Sequence, residues 1–411
     1  MPWLLMAAAI FYNAGLGFLN AHGLHLSEAH VAATEFFILL CAALFLGSRF
    51  SKLAPLRSFV IGSFLVILVL VAWVSVANGQ VFIRPPRDFA IICVFFLVGT
   101  QASQERMIPV FRVIVLIVLA VMLIEGFAVG LYVWLFQPAD YFANTRGIEK
   151  LSVDDTGLFR NSLGFAGRFS FGLFGNRRLS SVFLEQVSLA NFAMVLCIFT
   201  VTFWQNMKKG DRWLFAFAIV FMIVCNSSRT GSLLCILMAL GYKVFPKLPR
   251  WIYGAVIPGL LFVSAVLFYR PGEMSFSDTM SGRMGNTLAL LAHMDLGDFV
   301  TGDLVKIAHT GDSGYAYLVL GTTLVGLLYY WIFIWVLLPS GTALSRRFGF
   351  CALLFISVNL MVGAAIFSIK VSAPLWLIAG CLAARDFQTA NARVAQTAPR
   401  PLTPPLRRVE G

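Results

Sequence analysis

Three short polar clusters contain the residues of this chain that could do chemistry, and each lies directly before a hydrophobic segment. The clusters are residues 177–185, 227–231 and 309–315. Charged groups at the edge of a bilayer are costly to keep unless they bind something, so their convergence on one membrane face would indicate a site for an anionic, membrane-held ligand. The arginines would bind the anion, and the histidine would exchange a proton near neutral pH.

The second cluster contains the best candidate for an anion site. Its serines precede a hydrophobic segment, where a hydroxyl can cap the new helix and small residues leave the first N–H groups open. A helix N-terminus has a positive potential, and Arg229 beside it supplies a bidentate fork for phosphate oxygens. The alternative is a capped helix whose arginine only reaches toward the lipid headgroups.

The first cluster leads into a hydrophobic segment with polar residues at helical spacing. These residues are Ser181, Glu185, Ser188 and Asn191, and the intervals between them are four, three and three positions. The spacing predicts a polar stripe on one face of an α-helix. Arg178, just before the stripe, is a candidate phosphate ligand, but it lies two helical turns before Glu185 and could instead form a structural ion pair with it.

The third cluster contains a candidate general base. Histidine exchanges protons near neutral pH, and His309 lies where it could take a proton from a hydroxyl, although a lone loop histidine is more often only solvated. Asp312 is expected mainly as the N-cap of the next helix, with Tyr315 in the first turn. Earlier in the same loop, Arg283 is either another phosphate contact or a solvated charge.

Twelve hydrophobic segments must position these clusters. Hydrophobic residues make up 59% of the 411 and charged residues only 12%, and the mean hydropathy is +0.84, a balance that a soluble core could not accommodate. Runs long enough to cross a hydrocarbon core must be helical, because only helices satisfy their own backbone there. We therefore expect an all-α polytopic bundle with about twelve transmembrane helices, near residues 2–20, 30–47, 58–77, 88–101, 109–135, 182–204, 213–226, 231–245, 251–268, 314–338, 348–367 and 372–384.

The distribution of charge predicts the orientation of the bundle. If both termini are cytoplasmic, 18 of the 31 lysine and arginine residues lie on the cytoplasmic side, as the positive-inside rule requires. Residues 136–181 and 269–313 then form two long outer loops, and residues 1–384 form the bundle. Residues 385–411 are expected to be a disordered basic tail, near anionic lipid or acting only as a topology anchor. The short outer loops hold four basic residues, Arg84, Arg87, Arg229 and Lys370.

Several other site classes are not expected. The first segment lacks a small-residue cleavage site and is interpreted as retained, and the seven cysteines lie in or beside hydrophobic segments, which argues against a disulfide framework. His22, His25 and His30 have no carboxylates at metal-ligand spacing. Glu35 and Glu125 lie inside hydrophobic segments and would join either a polar network or a proton path. No P-loop, dinucleotide fingerprint or nucleic-acid-binding surface is recognisable.

The three clusters resemble motifs of the bacterial polysaccharide polymerase and O-antigen ligase superfamily. The family's Arg-x-x-(Gly/Ser)-x-Phe segment, which enters a span, is similar to residues 178–191, RLSSVFLEQVSLAN. Its Ser-Arg-Gly element is similar to residues 228–231, and its histidine-containing stretch before a late span is similar to residues 309–314. The resemblance covers residues 175–335, and the first 135 residues are similar in hydropathy only.

The resemblance implies polymerisation of lipid-linked oligosaccharide repeat units, by glycosyl transfer from undecaprenyl pyrophosphate at the periplasmic face of the bacterial inner membrane. It implies no metal or other cofactor, and as partners the lipid-linked oligosaccharide, membrane lipids, chain-length regulators and flippases. The implied pyrophosphate ligands are Arg178, Arg229, Arg283 and Arg177; the catalytic base is His309; and the residues that bind or orient sugar are Glu185, Asp312 and Tyr315.

Other functions are compatible with the same residues. The family's usual asparagine near the histidine is replaced by Asp312 and Ser313, which is closer to exopolysaccharide polymerases than to ligases that use another acceptor. A transporter or flippase of lipid-linked sugars would suit twelve spans, but the two halves show no internal repeat and the clusters gather at one face. A non-catalytic scaffold would not require arginines and a histidine at three separate helix starts.

Overall fold

Almost all of the chain that can be described is helical. The computed structural model describes residues 1–47, 54–148, 156–163, 169–270, 279–311 and 313–397. One four-residue β-strand, β1 (Leu173–Asn176), accompanies the helices in these ranges. The helices are α1 (Pro2–Ala21), α2 (Glu28–Gly47), α3 (Ala54–Ala77), α4 (Arg84–Thr100), α5 (Met107–Phe127), α6 (Val129–Phe136), α7 (Pro138–Arg146), α8 (Gln186–Phe203), α9 (Lys209–Asn226), α10 (Arg229–Leu240), α11 (Trp251–Phe268), α12 (Met280–Ala292), α13 (Leu296–Thr301), α14 (Leu304–Ile307), α15 (Gly314–Leu337), α16 (Ala343–Val362) and α17 (Ile369–Thr397).

A helix lies at each of the twelve predicted segments, but the number of spans is not confirmed. Among the described residues, eight helices are long and apolar enough to cross a membrane, and α4, α9, α10 and α17 are not among them. The predicted segment 109–135 is divided into α5 and α6, because the backbone leaves the helical region at Ala128. The two predicted long loops also contain helices, α7 in the first and α12 to α14 in the second.

The centre of the bundle is formed by α8 and α16 together with α17, which packs along α4. In the most hydrophobic stretches of α8 and α16, 89% and 83% of the residues are buried, whereas in those of α2 and α11 only 17% and 22% are buried, which places these two helices on the outside of the bundle. Gly99 on α4 and Gly380 on α17 allow these two helices to pack closely, because a Cβ on either glycine would collide with the opposite backbone. Small residues at such crossings are how membrane helices pack without a hydrophobic driving force.

Two arginines connect neighbouring helices at the end of the bundle where α9 and α16 begin. Arg112 on α5 forms a bidentate ion pair with Asp211 at the start of α9, at 2.6 and 2.9 Å. Arg347 on α16 donates to the backbone oxygens of Tyr242 and Thr202, which follow α10 and end α8. The contact with Thr202 satisfies a carbonyl in the last turn of α8, where the backbone oxygens have no partner within the helix.

The polar clusters lie at the opposite end of the bundle, which we call the cluster end. Here α4, α8, α10, α15 and α17 begin, and α9 and α16 end. Asn359 near the end of α16 donates to Asn191 in α8 at 2.5 Å. A Cβ on Gly314 at the start of α15 would collide with the backbone of Gly363, directly after α16.

A buried carboxylate shapes the chain that enters α8. Glu125, 1% exposed, accepts the N–H groups of Ser180 and Ser181, at 2.8 and 2.6 Å, and the Ser180 hydroxyl at 2.9 Å. Ser181 and Leu184 adopt positive φ angles of 53° and 57° in the short 3₁₀ turn that follows. The polar stripe predicted from residue 181 is therefore wrong in its first half, because α8 begins only at Gln186. Of the two roles left open for Glu125, its contacts favour a polar network.

Candidate functional site

The first polar cluster contacts Asn226, the residue directly before the second cluster, at the cluster end. Arg178 donates through Nε to the backbone oxygen of Asn226 at 2.6 Å and through Nη2 to its Oδ1 at 3.3 Å. The Asn226 side chain in turn donates to the backbone oxygen of Gln186 at 2.7 Å. The half-buried guanidinium of Arg178 is thus fixed at the connection between α9 and α10, beside the start of α8.

The start of α10 has the capped geometry that the sequence predicts. Ser228 is the N-cap, and its hydroxyl accepts the N–H of Gly231 at 3.1 Å. Ser227, at φ 54°, turns the chain sharply between α9 and α10. Arg229 is the first residue of α10, and its exposed guanidinium carbon lies 5.2 Å from the centre of the Phe169 ring. The helix N-terminus and a cation therefore lie side by side, the combination that favours anion binding.

We expect the Ser228 cap to be a measurable source of stability. Ser228→Ala removes the acceptor for the Gly231 N–H and should lower the free energy of unfolding by about 1 kcal/mol. Equilibrium unfolding in mixed detergent micelles, followed by circular dichroism, measures this loss. Ser232→Ala is the matched control, because the Ser232 hydroxyl only donates back to the Ser228 carbonyl one turn earlier in the same helix. An equal loss in both variants would contradict the capping role.

The third cluster does not join the other two in the contacts that the structure describes. His309 is exposed after α14, and its imidazole has no hydrogen-bond partner among the described residues. Asp312 lies outside those residues. The N-cap of α15 is Ser313, which accepts the Ala316 N–H at 3.2 Å, so the expectation that Asp312 caps this helix is wrong.

Three of the predicted site residues make structural contacts. Tyr315 is completely buried and donates to the backbone oxygen of Ser357 at 3.3 Å, which holds α15 against α16 instead of exposing the phenol to a sugar. Arg177 and Arg283 donate to the backbone oxygens of Gly126 and Val362, at 3.3 and 3.2 Å. These oxygens belong to the last turns of α5 and α16, where a cation is favourable.

Glu185 pairs with two basic side chains that the sequence motifs do not indicate. Its Oε1 accepts from Arg146 on α7 at 2.8 Å, and its Oε2 accepts from Lys370 on α17 at 3.2 Å and from Ser188 at 2.8 Å. Arg146 and Lys370 therefore occupy the carboxylate that the sequence offered to Arg178 as an alternative partner. Burial raises the pKa of the Glu185 carboxyl, but the charges of Lys370 and Arg146 together lower it by more than burial raises it. The net result is a pKa well below the ordinary value.

A second charged network lies beside the ion pairs of Glu185. Glu35 on α2 accepts from Tyr12 at 2.5 Å and from Arg87 at 3.3 Å. Arg87 also donates to Asp88 at 2.7 Å, and Asp88 accepts from Tyr317 at 2.8 Å. The network ties α1, α2, α4 and α15 together near the cluster end. Glu35 thus has the polar-network role that was one of its two alternatives.

Basic residues occupy the first turns of three helices that begin at the cluster end. They are Arg84 in α4, Arg229 in α10 and Lys370 in α17, and none of these first turns contains an acidic residue. Cations at helix N-termini are unfavourable, because the helix dipole is already positive there. Glu185 already offsets the charge of Lys370, and an anionic ligand would offset further positive potential at this end.

The sequence did contain a signal for these missed cations. Arg84, Arg87 and Lys370 are three of the four basic residues predicted in short outer loops, where the positive-inside rule disfavours them. Only the fourth, Arg229, lies next to a recognisable motif, so the motifs alone do not indicate the other three.

The remaining histidines and cysteines suggest no further centre. Within the described ranges, no three His, Cys, Asp or Glu side chains are grouped closely enough to hold a metal ion. The imidazole of His22 contacts the Phe18 backbone oxygen, and that of His30 contacts Ser27. All seven cysteines are described, and each is a free thiol.

Comparisons of the chain with protein-family models, with curated protein sequences and with solved structures find no match. The resemblance described above therefore depends on the short motifs alone.

Proposed function

We propose that this membrane protein is a glycosyltransferase that polymerises lipid-linked oligosaccharide repeat units. The donor would be an oligosaccharide on undecaprenyl pyrophosphate, and the product a surface or secreted polysaccharide. In this proposal the cluster end faces the periplasm from the inner membrane of a bacterium, and both termini are cytoplasmic. Transfer to another acceptor, as in O-antigen ligases, is a variant of the same chemistry.

The observation that carries the proposal is the collection of cations around helix N-termini at the cluster end. Arg178 is fixed against the connection that begins α10, and Arg229 is the first residue of that helix. The first turn of α4 adds Arg84, whereas Lys370 in the first turn of α17 is buried and already paired with Glu185. Such an arrangement is suited to a pyrophosphate, because oriented donors and fixed positive charge stabilise the negative charge that develops on a leaving group.

The chemistry would be a single displacement at the anomeric carbon. The acceptor hydroxyl oxygen forms the new bond to that carbon, the bond to the pyrophosphate oxygen breaks with its electron pair, and the anomeric configuration inverts. Arg178 and Arg229 would neutralise the departing pyrophosphate, and His309 would take the proton of the hydroxyl. The exposure of His309 leaves it accessible to a sugar arriving from water. Confinement of donor and acceptor to one membrane would supply proximity.

One observation favours a second candidate, a transporter or flippase of lipid-linked sugars. The network of Glu35, Arg87 and Asp88 is largely buried between helices, and such intramembrane charges often mark transport or proton pathways. The charges lie toward one end of the bundle, however, whereas transporter sites lie near the midplane. We therefore rank this function second.

Chain elongation by the purified protein tests the proposal directly. The protein in lipid nanodiscs is incubated with undecaprenyl pyrophosphate carrying the oligosaccharide repeat, and products are separated by length. We expect longer chains, and His309→Ala should slow their formation by about 10²-fold because general-base assistance is lost.

His25→Ala is the control for the histidine variant, since His25 is also an exposed histidine and is not assigned to the site. Full activity of His309→Ala would remove the assigned base and leave the reaction itself in place. A wild-type protein that moves the labelled lipid-linked sugar across vesicle membranes, but never lengthens it, would replace the proposed function with the transporter.

A further inference from the structure

Two exposed phenylalanines, which we call the aromatic pair, lie beside Arg229. Phe169 is 36% exposed and Phe171 is 47% exposed. Their rings meet edge to face, with centroids 4.8 Å apart. The guanidinium carbon of Arg229 lies 5.2 Å from the centre of the Phe169 ring. An apolar surface and a cation therefore adjoin each other at the start of α10.

The segment that carries the aromatic pair is held on two sides. The N–H of Phe171 donates to the Ser227 hydroxyl at 3.3 Å, which ties the segment to the connection between α9 and α10. Gly172, at φ 77°, allows the turn into β1. On the other side, the Phe174 ring packs edge to face against Phe127 at the end of α5, with centroids 5.3 Å apart. The pair is presented by the fold at a fixed place beside Arg229.

Contact with the hydrocarbon of the membrane does not account for the exposure of the aromatic pair. Its segment is irregular backbone followed by a four-residue strand, and such backbone is not tolerated facing hydrocarbon, because its N–H and C=O groups would lack partners. The segment therefore belongs to the headgroup layer or to water. Exposed apolar groups gathered in that environment commonly mark a binding site.

We infer that the aromatic pair binds the apolar face of the sugar ring whose phosphate is bound by Arg229. The inference rests on the proposed function and extends it, because it assigns a sugar subsite to the donor. A pyranose presents C–H groups on one face, which pack against an aromatic ring, while its anomeric phosphate is complementary to the guanidinium. The short spacings from Arg229 to Phe169 and from Phe169 to Phe171 suit one glycosyl phosphate that contacts all three.

The test compares the binding of two carriers to the full-length protein in nanodiscs. One carrier is undecaprenyl pyrophosphate with the oligosaccharide repeat attached, and the other is bare undecaprenyl pyrophosphate. The wild type should bind the glycosylated carrier more tightly. Phe171→Ala should reduce that preference by about five- to ten-fold, because one aromatic contact is lost, and should leave the affinity for the bare carrier unchanged.

Two further variants guard against a merely structural effect. Phe171→Trp keeps an aromatic ring and should retain the preference. Leu173 is an apolar residue near Phe171 that is also exposed, so Leu173→Ala should change neither affinity. An unchanged preference in Phe171→Ala would overturn the inference and leave the proposed function standing. Equal weakening of both carriers would also overturn it, since the pair would then contact the lipid. Failure of the wild type to bind either carrier would contradict the proposed function and the inference together.

Discussion

Arg178→Ala is expected to slow chain elongation by about 10²- to 10³-fold, the cost of removing one fixed donor from a developing negative charge. The guanidinium is half-buried and is already oriented by Asn226, so it would stabilise the leaving pyrophosphate without first having to be ordered. Arg178→Lys should recover little activity, because an ammonium cannot reproduce the planar fork. Initial rates of elongation with saturating lipid-linked donor measure both losses.

A structural effect of the Arg178 variants must be separated from a chemical one. Guanidinium ion added to Arg178→Ala should restore part of the rate if the missing group acts on the leaving group, and should restore nothing if α10 has only shifted. Arg212→Ala is the matched control, since Arg212 contacts the Trp204 carbonyl at the opposite end of the bundle. A rate near that of the wild type in Arg178→Ala would exclude this residue from the site.

Glu185→Gln is expected to lower the free energy of unfolding by about 3 kcal/mol. The substitution leaves Lys370, whose side chain is only 2% exposed, without its carboxylate partner, and an unpaired buried charge is costly. Loss of the half-exposed Arg146 contact adds little, because partly solvated ion pairs contribute about 1 kcal/mol or less. Equilibrium unfolding in mixed detergent micelles gives the difference.

The double variant Glu185→Gln with Lys370→Met tests the cause of this loss. Removing both charges should restore stability to within about 1 kcal/mol of the wild type, because no buried charge is left unpaired. A double variant as unstable as Glu185→Gln would show that the charge of Lys370 is not responsible.

The same pair predicts a pH dependence with a definite sign. The pKa of Glu185 is lowered in the folded protein, so its contribution to stability is complete above the unfolded pKa of about 4.5 and is lost as the pH falls through the folded value. The difference in stability between the wild type and Glu185→Gln should thus be constant from pH 5 to 8 and shrink at lower pH. A difference that grows on acidification would contradict the lowered pKa.

The local features of the site were largely open to prediction from the sequence. The Ser228 cap follows from a hydroxyl before an apolar run, and the run itself predicts α10. The start of α8 was not predictable in this way. The polar residues have helical spacing from Ser181 onward. The backbone N–H groups of Ser180 and Ser181, however, donate to Glu125 and not to carbonyls of a helix. Glu125 is more than fifty residues away, and no local propensity reports such a contact.

The sequence by itself determined that the chain is a bundle of apolar helices with polar clusters before several of them, because hydropathy and periodicity are local properties. Only the tertiary structure decided which charges meet. Lys370 and Glu185 are 185 residues apart, and nothing in their surroundings specifies that α17 packs beside the start of α8. Hydropathy predicts that a helix forms and is silent about its neighbours. The partners of the cations at the cluster end are therefore set by the packing of helices that are distant in sequence.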